Sequence, residues 1–455
     1  MSGGGMNRNA KGAYKMAAVA TLLAAAIATF VFGRTHPELA LEKAPFGRLS
    51  YVPSYDPIQD ATLGIPMDSG NDKAATPDPS IRAIMVLPTQ ILLRAGGVLS
   101  RVVEVTTPVT TLHDLVQLIG DPDWLSETGS VITMNAAVVV GTDGTMTVAA
   151  PLTTEVVMTV RQGVFLAASK AQLTLTGVYF HASDEDTPTA GSATAVRVDL
   201  GRPFVLAVDN STMVITDSTF RYLGRDWNSS YGVAWSKGST GSANNSLFEK
   251  NFIGIYTDHS DGLQVLNSQF YHNSLYGIDP HSHSSNLFVA GNIANFNGRH
   301  GIIFSDHVTG GVVRDNTTNG NGLNGIMMDE ESTGNKIENN TVDGNLSDGI
   351  VMADSGSNDI SDNTVTGNRV GIHVRGATST DTNVVGNVVS GNKIAGQGIE
   401  LTGNSVENNG GEWQVSRIVT VWAAALVLLA ALSLLTWSNL HVRRRRQLRG
   451  RVGLA

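Results

Sequence analysis

Seven Gly-Ile pairs recur through the second half of the chain, at Gly254, Gly277, Gly301, Gly325, Gly349, Gly371 and Gly398, in steps of 23, 24, 24, 24, 22 and 27 residues. Two asparagine series keep the same step. One runs Asn267, Asn292, Asn316, Asn340, Asn363, Asn387, and the other Asn273, Asn297, Asn321, Asn345, Asn368, Asn392. A unit this short lends only a few residues to a core, so each copy must bury what its neighbour leaves open. The copies read as strands: stretches such as GIVMA and NKIENNTV alternate apolar and polar residues and carry no helical period. The expected fold is therefore all-β, a parallel β-helix in which each repeat is one coil. Coils stack at the strand spacing of roughly 4.8 Å, so a residue type kept at one position becomes a ladder. Buried asparagines at the turns can then bond the amides of both neighbours. A length of 455 residues, large for a single core, fits growth by repetition.

The same texture continues upstream with looser spacing, in GTMTVAAPLTTEVVMTV, GVFLAASKAQLTLTGVYF and FVLAVDNSTMVITDSTFRYLG. Before it, Thr110 to Glu127 reads as an amphipathic helix and turn that would cap the open N-terminal end, which otherwise exposes a sheet edge and core. The solenoid domain is thus expected over residues 110–410. Residues 34–109 form a linker and the start of the exported region, with a tether rich in proline, aspartate and glycine to about Ser80.

Two apolar segments bracket this region. Met16 to Gly33 is an 18-residue run preceded by Arg8, Lys11 and Lys15, so residues 1–33 read as a membrane anchor or a signal segment. Ile418 to Leu440 is a 23-residue run expected to be a transmembrane helix, and the arginine-rich tail 441–455 follows it. Both basic flanks belong in the cytoplasm by the positive-inside rule, which holds the chain between them outside a cell membrane. The chain has no cysteine, which excludes a disulfide framework and thiolate metal sites. Nine of the 31 basic residues and none of the 40 acidic ones lie in these end segments, so the middle carries a formal charge of −18. That excludes nucleic acid as a partner.

The stretch LYGIDPHSHSSN, from Leu275 to Asn286, concentrates chemistry. Strand alternation turns Ile278 and Pro280 inward and Tyr276, Asp279 and His281 outward, toward water. Later coils repeat the inward column as Phe304, Met328, Met352 and Val374. The outward columns of neighbouring coils hold Tyr256 and Asp258, then His300 and Ser305 with Asp306 and His307 just beyond, then Asn324 and Asp329. Histidines, tyrosines and carboxylates clustered on one face are a candidate active site.

The segment YGIDPHSHSSNLFVAGN, with the coils RHGIIFSDHVTGGVVRDN and NGLNGIMMD after it, resembles the exported mannuronan C5-epimerases of alginate biosynthesis. The likeness runs from about Leu112 to about Gly403. It implies a right-handed parallel β-helix and a uronate-containing exopolysaccharide as substrate, with an exopolysaccharide synthase complex as a possible partner. It also implies that His281 is the base that removes the C5 proton, with Tyr276, Asp279 and His300 completing the catalytic set. Tyr256, His283, Arg299, Ser305, Asp306, His307, Asn324 and Asp329 are the candidate substrate-binding residues. Where that family carries an arginine to neutralise the sugar carboxylate, this chain reads Ser305-Asp306-His307.

The chemistry needs a base, a positive or hydrogen-bonding partner for the developing enolate, and a proton donor on the other face. Asp279 is expected to orient the His281 imidazole, and Tyr276 or Tyr256 to donate the proton. Charge offset falls to Arg299, His300 or His307. No cofactor is implied, with calcium on Asp306, Asp329 and Glu330 as the alternative source of charge. If O4 leaves before reprotonation the same carbanion eliminates, so a uronan lyase is chemically adjacent. A non-catalytic polysaccharide-binding or assembly module is the remaining reading, and the −18 charge favours it.

Overall fold

The computed structural model describes residues 56–63, 77–161, 163–184, 202–226 and 229–410. Each coil contributes three short strands, such as Ile278–His281, Phe288–Ala290 and Ile293–Asn295. Successive coils pair in parallel and build three sheets of 14, 10 and 13 strands. The isoleucines of the Gly-Ile pairs fall in register, Ile255 on Ile278, Ile278 on Ile302, Ile302 on Ile326, Ile326 on Ile350 and Ile350 on Ile372. All six are fully buried. The glycine before each is demanded by close approach: a Cβ on Gly277 would stand 2.6 Å from the Gly301 carbonyl oxygen and 3.1 Å from the Asn297 amide nitrogen. The seventh pair departs from this pattern. Ile372 is in register with Gly396, so Gly398-Ile399 follows the strand Ile394–Gln397 rather than opening it, which explains the 27-residue step.

The asparagine ladders form at the corners. Asn316 Oδ1 accepts from the Asn292 backbone N–H (2.9 Å) and from its Nδ2 (3.0 Å), while the Asn316 side chain donates to Val289 O (2.9 Å) and Asn340 Oδ1 (3.0 Å). The second series repeats this from Asn273 through Asn392. A third ladder joins Asn335 to Asn358. One member of the first series is displaced: Ser268, not Asn267, gives its N–H to Asn292 Oδ1, and Asn267 takes positive φ at the turn before it. The interior is filled by like residues in columns, with Phe180, Phe220, Phe248 and Phe270 stacked at 5.1, 5.1 and 4.9 Å.

A helix of eight residues, Leu112–Ile119, caps the N-terminal end. The Thr111 hydroxyl accepts the Asp114 N–H, Gly120 closes it in a left-handed turn, and Leu112, Leu115, Val116 and Ile119 join the interior core. β-Structure begins upstream of the expected start at 110. Strands Arg82–Val86, Gln90–Ala95 and Val98–Glu104 pair antiparallel and extend the first sheet beyond Ala137–Val140. The tether holds one described helix, Pro57–Leu63, in which Ala61 is buried. The apolar segments 16–33 and 418–440 and the tail 441–455 lie outside the described residues, and no helix among the described residues is long and apolar enough to cross a membrane.

The ladder is testable on one rung. Asn316→Ala takes away the side-chain partner of the Asn292 N–H and of Val289 O, while Asn292 Nδ2 keeps Val265 O and Asn340 Oδ1 keeps the backbone N–H of residue 316. At about 1–3 kcal/mol for each buried group left unpaired, the expected loss is about 3 kcal/mol, read as a lower denaturant midpoint and faster amide exchange in the coils that hold Asn292 and Asn340.

Candidate active site

The first sheet turns three outward columns to one face. Backbone bonds and register set Ile253, Tyr276, His300, Asn324 and Asp348 in one column, Tyr256 beside Asp279 in the next, and Asp258 beside His281 in the third. These residues stand on the outer face, as the alternation requires, but not in water. Tyr256, Tyr276, Asp279, His300, Ser305 and Asn324 are all buried, and His281 keeps one fifth of its side chain exposed. The expectation of a wet face fails because the same columns carry Ala234, Ile303, Met327 and Val351, which pack with the tyrosines into a second apolar cluster outside the solenoid core.

Burial rewrites the protonation of the group. Asp279 is wholly buried and neither carboxyl oxygen has a hydrogen-bond partner among the described residues. Burial raises its pKa well above the ordinary carboxylate value, with Arg299 opposing, so burial favours the protonated acid. His300 is driven the other way, well below the usual imidazole value, by burial and then by the charges of Arg299 and Arg375. It is neutral, and its Nδ1 accepts the Asn324 N–H at 3.3 Å, which leaves Nε2–H as a donor. Its ring stacks on Tyr276 at 5.2 Å, and the Arg299 guanidinium stands 5.7 Å from the Tyr276 ring centre. Burial raises the phenols of Tyr231, Tyr256 and Tyr276, so all three keep their protons.

Asp279 does not orient His281. His281 Nδ1 lies 2.7 Å from Ser282 Oγ, and that hydroxyl donates to Asp306 Oδ2 at 3.1 Å. A serine has one proton to give. With it committed to Asp306, Ser282 Oγ accepts from His281 Nδ1–H, and the imidazole lone pair is left on Nε2. Burial would raise Asp306, but bonds from His307 and Ser282 and the nearby imidazoles hold it below its ordinary value. Burial lowers His281 itself, while Asp306, Glu330 and Asp258 act against that. The Tyr256 ring sits 5.7 Å from the His281 ring.

The remaining candidates separate. Ser305 pairs in register with the partly exposed Asp329 one coil on. Asn324 is taken up structurally, its Oδ1 accepting the Asp348 N–H at 3.1 Å. His283 and His307 lie on the turn beyond the strand, exposed, with rings 4.7 Å apart. The clustered ligand atoms among the described residues come from His283, Asp306 and His307, rather than from the all-oxygen set Asp306, Asp329 and Glu330. Sequence reasoning missed Ser282, because two positive-φ residues, Ser282 and His283, end the alternation there. It also missed Asp348, buried against Arg369 (2.5 Å) and His373 (2.7 Å) two coils past His300. The step from His300 to Asn324 to Asp348 is 24 residues each time and was available as a signal.

Residues 162–333 and 254–411 match the sequence profile described as "Right handed beta helix region", and the chain belongs to that family. Within it, the chain resembles mannuronan C5-epimerases. It is 32% identical over 103 residues to the mannuronan C5-epimerase of Pseudomonas aeruginosa, a match that covers 20% of this chain and 19% of that one, so it spans about a fifth of the length of that relative. The crystal structure of the periplasmic alginate epimerase AlgG superposes with a TM-score of 0.58 and 23% identity, covering 66% of this chain and 82% of that chain. A single-substitution mutant of AlgG superposes equally well, at a TM-score of 0.58 with the same coverage of both chains.

A neutral, unpartnered Asp279 makes stability pH-dependent in a definite direction. Its folded pKa is raised, so between the ordinary carboxylate value and the raised one the native state holds a proton that the unfolded chain has lost. Stability from this group therefore falls as pH rises through that window. Asp279→Asn removes the dependence, and denaturation at pH 8 is expected to show a higher midpoint for the variant than for the parent, with the difference shrinking toward pH 4.

Proposed function

We propose that this protein is a C5-epimerase of a uronate-containing polysaccharide of the mannuronan class, working outside the cytoplasm. The observation that carries the reading is the His281–Ser282–Asp306 arrangement, which commits Nδ1 and leaves Nε2 free as a base at the edge of the buried cluster of Tyr256, Tyr276 and Asp279. The relatives named above support the reaction class, and AlgG, described as periplasmic, supports the location.

The chemistry follows from the groups at hand. His281 Nε2 takes the C5 proton, a step that generates charge on the adjacent carboxyl group. In a polar solvent that charge would be hydrated; here the Arg299 guanidinium beside Tyr276 is the cation that would offset it, with the neutral His300 stacked on the same ring, while the buried Asp279, whose protonated form burial favours, adds no repelling carboxylate. This division of labour accounts for the loss of the arginine position: Asp306 stands there instead and serves the base. Tyr256 lies against His281 and so shares its side of the sugar ring, which leaves Tyr276 as the donor to the opposite face. Reprotonation there inverts C5. The exported polymer and its synthase are the expected partners.

The test uses the purified full chain on polymannuronate, with guluronate formation followed by proton NMR and solvent-proton exchange at C5 followed in parallel. His281→Ala is expected to lose about 10²–10⁴-fold in turnover, the usual contribution of a positioned base. Ser282→Ala, which removes a bond worth about 1 kcal/mol, is expected to lose about fivefold in kcat with little change in KM. Undiminished exchange in His281→Ala would reject the base, and accumulation of an unsaturated uronate would reassign the protein as a lyase.

A further inference from the structure

The turn after the first-sheet strand carries a histidine column that the proposed reaction does not use. His259, His283 and His307 hold the same position in three successive coils, and each donates its backbone N–H to the next coil, to Ser282 O, Asp306 O and Glu330 O, all at 2.8 Å. Their rings follow one another at 5.3 and 4.7 Å. With His281, four of the chain's 11 histidines sit at this one edge.

One ligating atom each from His283, Asp306 and His307 lies within 4.8 Å of the other two. Asp306 divides its carboxylate between two coils: Oδ1 faces His307 Nδ1 at 2.7 Å and Oδ2 takes the Ser282 hydroxyl at 3.1 Å. That second bond is the kind of outer contact that orients a metal-binding carboxylate. Glu331 Oε2 lies 3.2 Å from His307 Nε2, at the other edge of the ring from Asp306, and stands outside the three clustered ligand atoms. Exposed carboxylates alone would attract only loosely held hard cations. Two imidazoles and one carboxylate on adjacent, hydrogen-bonded rungs are a different donor set, one that suits zinc, cobalt, nickel or copper and disfavours calcium. Metal–ligand distances of about 2.0–2.2 Å require the three atoms to close in by a modest turn of the exposed His283 and His307 rings.

We propose that His283, Asp306 and His307 bind a divalent transition-metal ion of the zinc class at the rim of the His281 pocket, with a fourth coordination position left open to water or a carboxylate. The site stands on these residues alone and does not depend on the epimerase reading.

The experiment uses the full chain without a polyhistidine tag, stripped with chelator. Zn2+ binding is measured by calorimetry, and Co2+ binding by the visible absorption of a low-coordinate N/O site. One equivalent of either ion per chain is expected to bind, unaffected by millimolar Ca2+. His283→Ala and His307→Ala are each expected to weaken binding by at least about tenfold, and the double variant to abolish it. Because both side chains are exposed, the variants should keep the parent's thermal transition. Binding that persists in the double variant, that is absent in the parent, or that saturates only above about 1 mM would overturn the site.

Discussion

The vertical hydrogen bond between coils is what everything else in this molecule hangs from. A coil of about two dozen residues has no core of its own; it acquires one only when its strands pair with those of the next coil and its corner asparagines satisfy the amides of the last. The buried Asn316 therefore bonds both neighbouring coils at once, receiving the Asn292 N–H and giving its amide to Val289 O on one side and to Asn340 Oδ1 on the other. Because the bond joins like position to like position, it also fixes which side chains meet across coils. Tyr256 meets Asp279, and Asp258 meets His281, through register and nothing else.

Much of this was legible in the sequence because the fold writes its period into the chain. Gly-Ile spacing gave the coils, alternation gave the inward column of Phe304, Met328 and Met352, and the short helix before Gly120 was readable from its apolar stripe. What could not be read was the degree of burial on the outer face. Alternation says that Asp279 points away from the core; it does not say that Tyr256, Ile303 and Met327 will shelter it there. The errors share that cause. Asp279 reads as a carboxylate on a wet face and is an acid in an apolar one, and His300 reads as a cation and is a neutral donor. The slip from Asn267 to Ser268 and the displaced Gly398-Ile399 pair have a simpler origin, since one residue gained or lost at a turn leaves the spacing plausible while moving the register.

The same burial eases an apparent conflict between a middle region carrying −18 and the polyanionic substrate of the proposed reaction. Formal charge counts groups wherever they lie. Around Tyr276, burial favours the protonated form of Asp279 and the neutral form of His300, and the guanidinium over the tyrosine is that of Arg299. The acidic residues that flank the base, Asp306 and Glu330, stand on the turn, where they act on His281 rather than on the space above Tyr276.

Register-made chemistry also governs how such a chain can change over generations. Duplicating or deleting one whole coil elsewhere in the stack leaves every remaining column aligned, so length can drift in steps of a single repeat at little structural risk. Between His281 and Asp306 that freedom ends, because an extra rung would part the His281–Ser282 pair from the Asp306 carboxylate that takes the serine proton while leaving the solenoid intact. Descendants of this sequence can thus grow or shrink toward either end, but the two coils that carry His281 and Asp306 must be inherited as one block.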